Sequence, residues 1–184
     1  MQSEKINAQD QSGAALVCGN KIDESLKAEG VYTFTCLDAN GNVKWQETIQ
    51  NTVVTVGKAN LLNVYFASST QTTTWYLGLV DGATSPTYSV TDQMSSHGGW
   101  TENTTYSNAN RPTATFTVTA TNAISTAATA FNINGTATIA GAFMVNQNTK
   151  GGTTGTLYSA GSFSAGNRSV LNGDTLNVTY TASC

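Results

Sequence analysis

The segment from Ser95 to Pro112, SSHGGWTENTTYSNANRP, contains the only histidine of the 184-residue chain. Imidazole titrates closer to neutral pH than other side chains, so His97 has the properties of a general base. Nucleophilic catalysis also needs a nucleophile and an orienting group beside that base. No serine stands in a G-x-S-x-G sequence, and the glycines of SSHGGW are typical of a loop. We therefore interpret His97 as a loop residue that forms local hydrogen bonds.

Glycoside hydrolysis would need two carboxylates that face each other across a cleft, and the chain offers few carboxylates. Asp38, Asp81 and Asp174 stand at turns or just before strands, where aspartate commonly accepts hydrogen bonds from nearby backbone amides. Asp92 and Glu102 remain as candidates for acid–base chemistry, but nothing in the sequence pairs them. We favour a structural role for all five and predict no catalytic residue.

Metal and phosphate sites are also not indicated. The cysteines Cys18, Cys36 and Cys184 show no C-x-x-C spacing and have one histidine to assist them. DANGN carries only fragments of a calcium loop, and GGTTG at 151–155 lacks the Lys-Ser/Thr of a phosphate loop. We expect no cofactor. Cys36 is predicted to pack as a small apolar residue and Cys184 to be exposed, while one disulfide stays open as an alternative.

Charge and hydropathy exclude several classes of partner. Charged residues make up 10% of the chain, against about 25% in ordinary soluble domains. The net charge is −3, and the eight Lys and Arg residues are scattered, which argues against nucleic acid. The first twenty residues lack the basic start and apolar run of a signal peptide. No segment approaches the roughly 18 apolar residues of a membrane span. We expect a soluble protein that is not exported by a standard route and does not associate with membranes.

Period-two alternation begins at Val31 and predicts a β-hairpin. VYTFTCL places Tyr32, Phe34 and Cys36 on one face, and VKWQETIQ forms the second strand. Asn40-Gly41 in the connecting DANGN can take the positive backbone angles of a tight turn. TVVTV is predicted to continue extended as far as Gly57.

One short helix is predicted in KANLLNVYFAS, where Leu61, Leu62, Tyr65 and Phe66 have helical spacing. TWYLGLVD is apolar on both faces and predicts a central strand. Further alternating segments follow in TATFTVTAT, TATIAGAFMV, GTLYSAGSF and DTLNVTYTA. The sequence therefore predicts an all-β, jelly-roll-like sandwich over residues 31–184.

Residues 1–30 show neither the period-two alternation of a strand nor the spacing of an amphipathic helix. We interpret them as an extended N-terminal arm. Disorder and a strap that orders against a neighbouring subunit are equally compatible with this composition. Under the second interpretation, the apolar side chains of the arm bind the partner: Ile6, Leu16, Val17, Ile22 and Leu26.

The tryptophans could stack on sugars if they were exposed. Trp45 and Trp75 lie in alternating strands, where burial is the more common outcome. Trp100 lies in a loop and is the tryptophan that would support a glycan-binding function.

Six blocks follow one another along the chain: CLDANGNVKWQETIQNTVVTVGKANLLNVYF, WYLGLVDG, MSSHGGWTENTTYSNANRP, NGTATIAGAFMV, GGTTGTLYSAGSF and NRSVLNGDTLNVTYT. Their joint order resembles a family of small virion proteins of tailed bacteriophages, some described as capsid cement or decoration proteins. The resemblance covers roughly residues 31–182 and implies a jelly-roll-like sandwich on the outside of a shell of major capsid protein, often as a dimer or trimer, without an active site. Residues 1–30 depart from shorter members, which leaves the role of the arm open.

In this family the block around His97 looks like a structural connection into the next strand. Arg111 is expected to form an ion pair with Glu102 or another acid, which would contribute only about 0–1 kcal/mol if exposed. Pro112 sets the start of the strand that follows.

The leading hypothesis is a non-enzymatic structural protein that binds the exterior of a phage capsid and stabilises it. The first alternative is a receptor- or glycan-binding module of a tail fibre or spike, although the chain shows no heptads or short repeats. The second alternative is a small polysaccharide-degrading enzyme, which would need a carboxylate pair.

Overall fold

The computed structural model describes residues 27–120 and 122–184. In this part of the chain one helix accompanies a series of strands. In chain order the elements are β1 (Glu29–Leu37), β2 (Val43–Gln50), β3 (Thr52–Val53), α1 (Thr55–Phe66), β4 (Trp75–Asp81), β5 (Glu102–Asn103), β6 (Thr113–Ala114), β7 (Phe116–Ala120), β8 (Ala123–Thr126), β9 (Thr129–Asn132), β10 (Ala137–Val145), β11 (Leu157–Ser162), β12 (Arg168–Val170) and β13 (Thr175–Ser183).

The strands form two antiparallel sheets. The first sheet has the order β2-β1-β13-β8-β7, with β9 also paired to β13. The second sheet has the order β3-β11-β10-β4-β5, with β12 beside β10 and β6 beside β4. The predicted all-β sandwich with one short helix is confirmed.

The main core lies between the two sheets. Tyr32, Phe34 and Cys36 project from β1 into this core and are fully buried, as the alternation predicted. Phe34 meets the ring of Phe163 edge-on at 4.7 Å between centroids. Because every second residue of β1 is apolar, one face of the first sheet packs against the second sheet and the other face carries threonines.

The second sheet is covered on both faces. Residues from Ile139 to Val145 of β10 are all buried, so the alternation predicted for TATIAGAFMV is wrong at this strand. Phe143 packs on Trp100, with 5.0 Å between ring centroids, in a second apolar cluster on the face away from the first sheet. A strand buried on both faces carries apolar residues continuously, as β4 also does.

The first hairpin is confirmed, but its turn differs from the expected one. Gly41 alone takes a positive φ, of 84°, whereas Asn40 does not. The side chain of Asp38 organises the loop instead. Its Oδ1 accepts hydrogen bonds from the backbone N–H groups of Asn40 and Asn42, both at 2.8 Å.

The helix begins earlier than the sequence indicated. The prediction that TVVTV stays extended as far as Gly57 is wrong, because α1 starts at Thr55, where the backbone N–H of Thr55 donates to the carbonyl of Val90. Gly57 is the buried residue of the helix and lies directly on the backbone of Tyr158. A side chain at this position would collide with that backbone, so glycine permits the close approach of α1 to β11.

The predicted arm falls almost entirely outside the described residues. β1 begins at Glu29, two residues before the expected domain start, and pairs through Glu29 with Ser183. No helix in the described part of the chain has the length and hydropathy that a membrane span requires.

Candidate functional site

The segment 95–112 is organised around a buried ion pair. Arg111 donates from Nε to Oε1 of Glu102 at 3.0 Å and from Nη2 to Oε2 at 2.7 Å. The exposed fractions of the two side chains are 0% and 7%. The predicted partner of Arg111 is therefore confirmed, but the pair is buried rather than exposed.

The remaining hydrogen-bonding capacity of this pair is used by the loop between β10 and β11. Arg111 also donates to the carbonyls of Gln147 at 3.0 Å and Gly152 at 2.7 Å. Glu102 accepts from the backbone N–H of Gly151 at 2.7 Å. These contacts engage both oxygens of the carboxylate and tie Glu102 to the loop between β10 and β11.

Tyr106 completes the surroundings of Glu102. Its hydroxyl donates to Oε1 of Glu102 at 3.3 Å, and Lys150 lies 4.5 Å from the centre of its ring. Burial, and secondly the neighbouring Glu102 carboxylate, raise the pKa of Tyr106 well above its ordinary value. The phenol therefore stays protonated at neutral pH.

His97 forms only local contacts, as predicted. Its Nδ1 lies 3.0 Å from the carbonyl oxygen of Trp100, and its ring stacks on the Trp100 indole at 4.0 Å. Trp100 donates from Nε1 to Oδ2 of Asp92 at 3.0 Å and is 3% exposed. Phe143 and His97 cover the ring of Trp100, so this tryptophan does not support the glycan-binding alternative.

Three further carboxylates of the strands and turns are also engaged. Asp81 accepts from the backbone N–H of Ala83 at 2.7 Å. Asp174 accepts from the N–H of Leu171 and pairs with Lys44. Glu47 pairs with Arg168. The predicted backbone hydrogen bonds of the turn aspartates are confirmed.

The cysteines that are described differ in environment. Cys36 is buried, as predicted, and its Sγ lies 3.8 Å from Oδ2 of Asp174. Burial, and secondly Asp174, raise the pKa of the Cys36 thiol to about 11. Cys184 is exposed, as predicted. No three His, Cys, Asp or Glu side chains come together as a potential metal site within residues 27–120 and 122–184.

An apolar groove at one end of the sandwich is lined by residues of α1 and of both sheets. We call it the end groove; it has a volume of about 610 Å³. Burial, followed by Cys184 for Tyr158 and by Tyr158 for Tyr180, raises the pKa of both phenols that line it. The lining residues are Asn60, Leu61, Val64, Tyr65, Gln71, Thr72, Thr73, Trp75, Phe116, Ile124, Met144, Tyr158, Tyr180 and Ala182.

Exposed apolar side chains surround the end groove. Tyr65 and Phe66 are 81% and 75% exposed, and their rings meet edge-on at 4.8 Å. Val118, opposite Ile124 in the β7–β8 ladder, is 81% exposed. We call Leu61, Leu62, Tyr65, Phe66, Val118 and Ile124 the end surface.

The sequence shows the helical spacing of the α1 part of this surface, but it does not show that these side chains are exposed. A stripe of four apolar residues is typical of a helix face that packs on a core. Only the position of α1 beside β11 shows that Gly57 makes the contact and that the stripe points outward. The predicted partner-binding residues Ile6, Leu16, Val17, Ile22 and Leu26 lie outside the described residues.

The chain was also compared with known proteins. No protein-family model matches it, and no match was found among curated proteins.

Proposed function

We propose that this protein is a non-enzymatic structural component of a tailed-phage virion that binds the outer surface of the capsid and stabilises the shell. The order of the sequence blocks described above supports this proposal. The structural roles of Glu102, Asp92 and Asp174 also support it, because these carboxylates hold loops together. The protein would act through the contacts it makes and not through a reaction.

The end surface is the structural feature that most strongly supports this proposal. Its large apolar side chains are mostly solvent-exposed, while the remaining apolar residues of both sheets are largely buried. Contiguous exposed apolar residues mark interaction sites on soluble proteins. Aromatic residues such as Tyr65 and Phe66 are enriched among those that dominate binding energy. We assign this surface to the contact with the major capsid protein.

The rest of the molecule is suited to repeated, weakly salt-dependent contacts. The exposed faces of β2 and β7 carry threonine and glutamine with few charges. Polar contacts without ion pairs respond little to ionic strength. In a dimer or trimer on a symmetric shell, several such contacts would act together through effective concentration.

The arm would add a second contact. Ile6, Leu16 and Val17, which precede β1 by more than ten residues in the sequence, are proposed to strap a neighbouring subunit by adding a strand or by filling a groove. Ile22 and Leu26 are much closer to β1 and are considered separately below.

Co-sedimentation with capsids of the phage that encodes the chain tests the proposal. We expect tight binding to assembled capsids and much weaker binding to free capsid subunits, because only the shell presents several sites together. The double variant Tyr65→Ser/Phe66→Ser should lose binding. The matched control is Val43→Ser, which removes an exposed apolar side chain from β2. Equal affinity for shells and subunits would overturn the proposal.

A further inference from the structure

The end groove is an open apolar site, and none of the described residues that line it is charged. Its volume of about 610 Å³ falls within the roughly 300–1,000 Å³ of typical ligand pockets. Trp75, Met144 and Tyr158 of the second sheet form one wall, and Phe116 and Tyr180 of the first sheet form the other. An occupant must therefore supply apolar side chains and must leave its charges outside.

The N-terminal segment joins the sandwich beside this groove. β1 pairs with β13, and in that ladder Gly30 lies opposite Ala182, which lines the groove. The side chain of Tyr180, another lining residue, covers Gly30 so closely that a side chain at position 30 would collide with its hydroxyl. The chain that precedes β1 therefore starts at the edge of the groove.

The apolar residues nearest to that point are Leu26 and Ile22, four and eight residues before Gly30. An extended chain spans at most about 3.6 Å per residue, so Leu26 can lie up to about 14 Å and Ile22 up to about 29 Å from Gly30. Both distances suffice to reach a groove that begins one strand away. The intervening Asp23, Glu24 and Ser25 are polar and can stay in solvent while the two apolar side chains turn inward.

We propose that Ile22 and Leu26 dock into the end groove of their own chain. The tether is so short that it gives these side chains an effective concentration on the order of millimolar at the groove. A second copy of the chain has no such advantage in dilute solution. The segment then covers Trp75 and Tyr158, whereas Tyr65, Phe66 and Val118 stay on the outside for another partner.

Paramagnetic broadening in NMR spectra of the full chain tests this docking. A spin label is attached to Cys18 in a Cys184→Ser background; Cys36 is buried and does not compete for the label. The readout is the backbone amide signals of Leu61, Thr73 and Ile124 at the groove. We expect strong broadening of these signals, which Ile22→Ser/Leu26→Ser should abolish and the matched change Ile6→Ser should not.

A change in the groove gives an independent control. Ile124→Lys places a charge at the rim and should also abolish the broadening, whereas Leu171→Lys, at an exposed apolar residue of the β12–β13 turn, should leave it intact. Broadening that persists in Ile22→Ser/Leu26→Ser would overturn the proposal, because the tether alone would then explain it.

Mixing two preparations separates the chain's own segment from that of a second copy. Spin-labelled protein without ¹⁵N is mixed with ¹⁵N-labelled protein without a spin label. We expect no broadening in this mixture, and broadening of the groove signals would overturn docking within one chain. The experiment uses isolated protein without capsids. A result that contradicts the docking of Ile22 and Leu26 therefore does not contradict the proposed capsid binding.

Discussion

Arg111 and Glu102 form a bidentate ion pair inside the protein, with both side chains withdrawn from solvent. The guanidinium also holds two carbonyls of the loop between β10 and β11, and it lies 5.1 Å from the centre of the Phe143 ring. The pair thus joins the segment that contains His97 to the second sheet. The segment around His97 is thereby fixed to the loop between β10 and β11.

We predict that Arg111→Met strongly destabilises the protein. Removing one partner of a buried ion pair leaves an uncompensated charge and typically costs about 3–5 kcal/mol. Arg168→Met, which breaks the partly exposed pair with Glu47, should cost about 1 kcal/mol or less. Chemical denaturation of the two variants measures both values. Equal losses of unfolding free energy would contradict the structural role of the buried pair.

Gly57→Ala is expected to destabilise the protein although it lies within a helix. Alanine is normally more favourable than glycine there by about 0.8–1.0 kcal/mol. Here the added Cβ would lie 2.4 Å from the carbonyl oxygen of Tyr158, and such overpacking typically costs about 1–3 kcal/mol. Asn63→Ala, at an exposed position of α1, is the control and should be neutral or stabilising in thermal unfolding. A stabilising Gly57→Ala would show that α1 does not approach β11 closely.

Stability should decrease as the pH rises above about 10. Burial is the main cause that raises the pKa values of Tyr32, Tyr106 and Tyr180 above their ordinary value of 10.0. Below pH 10 the three phenols are protonated in both the folded and the unfolded chain, so their full contribution to the free energy of unfolding is present. Above it the unfolded chain releases these protons first, which favours unfolding. Tyrosinate absorbance should therefore show these three phenols titrating together with unfolding; independent titration in the folded protein would contradict their burial.

The thiol of Cys36 should resist alkylation at neutral pH. It is buried and its pKa is raised to about 11, so almost no thiolate is present. Cys184 is exposed and should react rapidly. Mass spectrometry after brief treatment with iodoacetamide, with and without denaturant, distinguishes the two sites. Rapid modification of Cys36 in the folded protein would contradict its position in the core.

Local patterns in the sequence were sufficient to predict β1, β4 and the all-β class. They predicted the partner of Arg111 as well, because Glu102 is close in sequence. The burial of that pair depends on the carbonyls of Gln147 and Gly152, which come from a distant loop. No local pattern contains this information.

The same limit applies to the burial of Trp100 and to the exposure of the apolar stripe of α1. Trp100 stands in a glycine-rich segment, yet Phe143 of β10 packs on its ring. The apolar stripe of α1 has the spacing of a core-facing helix, yet the contact at Gly57 turns it outward. In both cases the exposure of a side chain depends on which strand lies beside it in the fold.

The number of copies of this protein in virions tests whether it covers the phage capsid, as proposed. Quantitative mass spectrometry of purified, DNA-filled particles gives the ratio of this chain to the major capsid protein. We predict a ratio comparable to that of the capsid protein itself, as coverage of the whole shell requires. A ratio of only a few chains per particle would contradict the proposal and would instead place the protein at a tail or a single vertex.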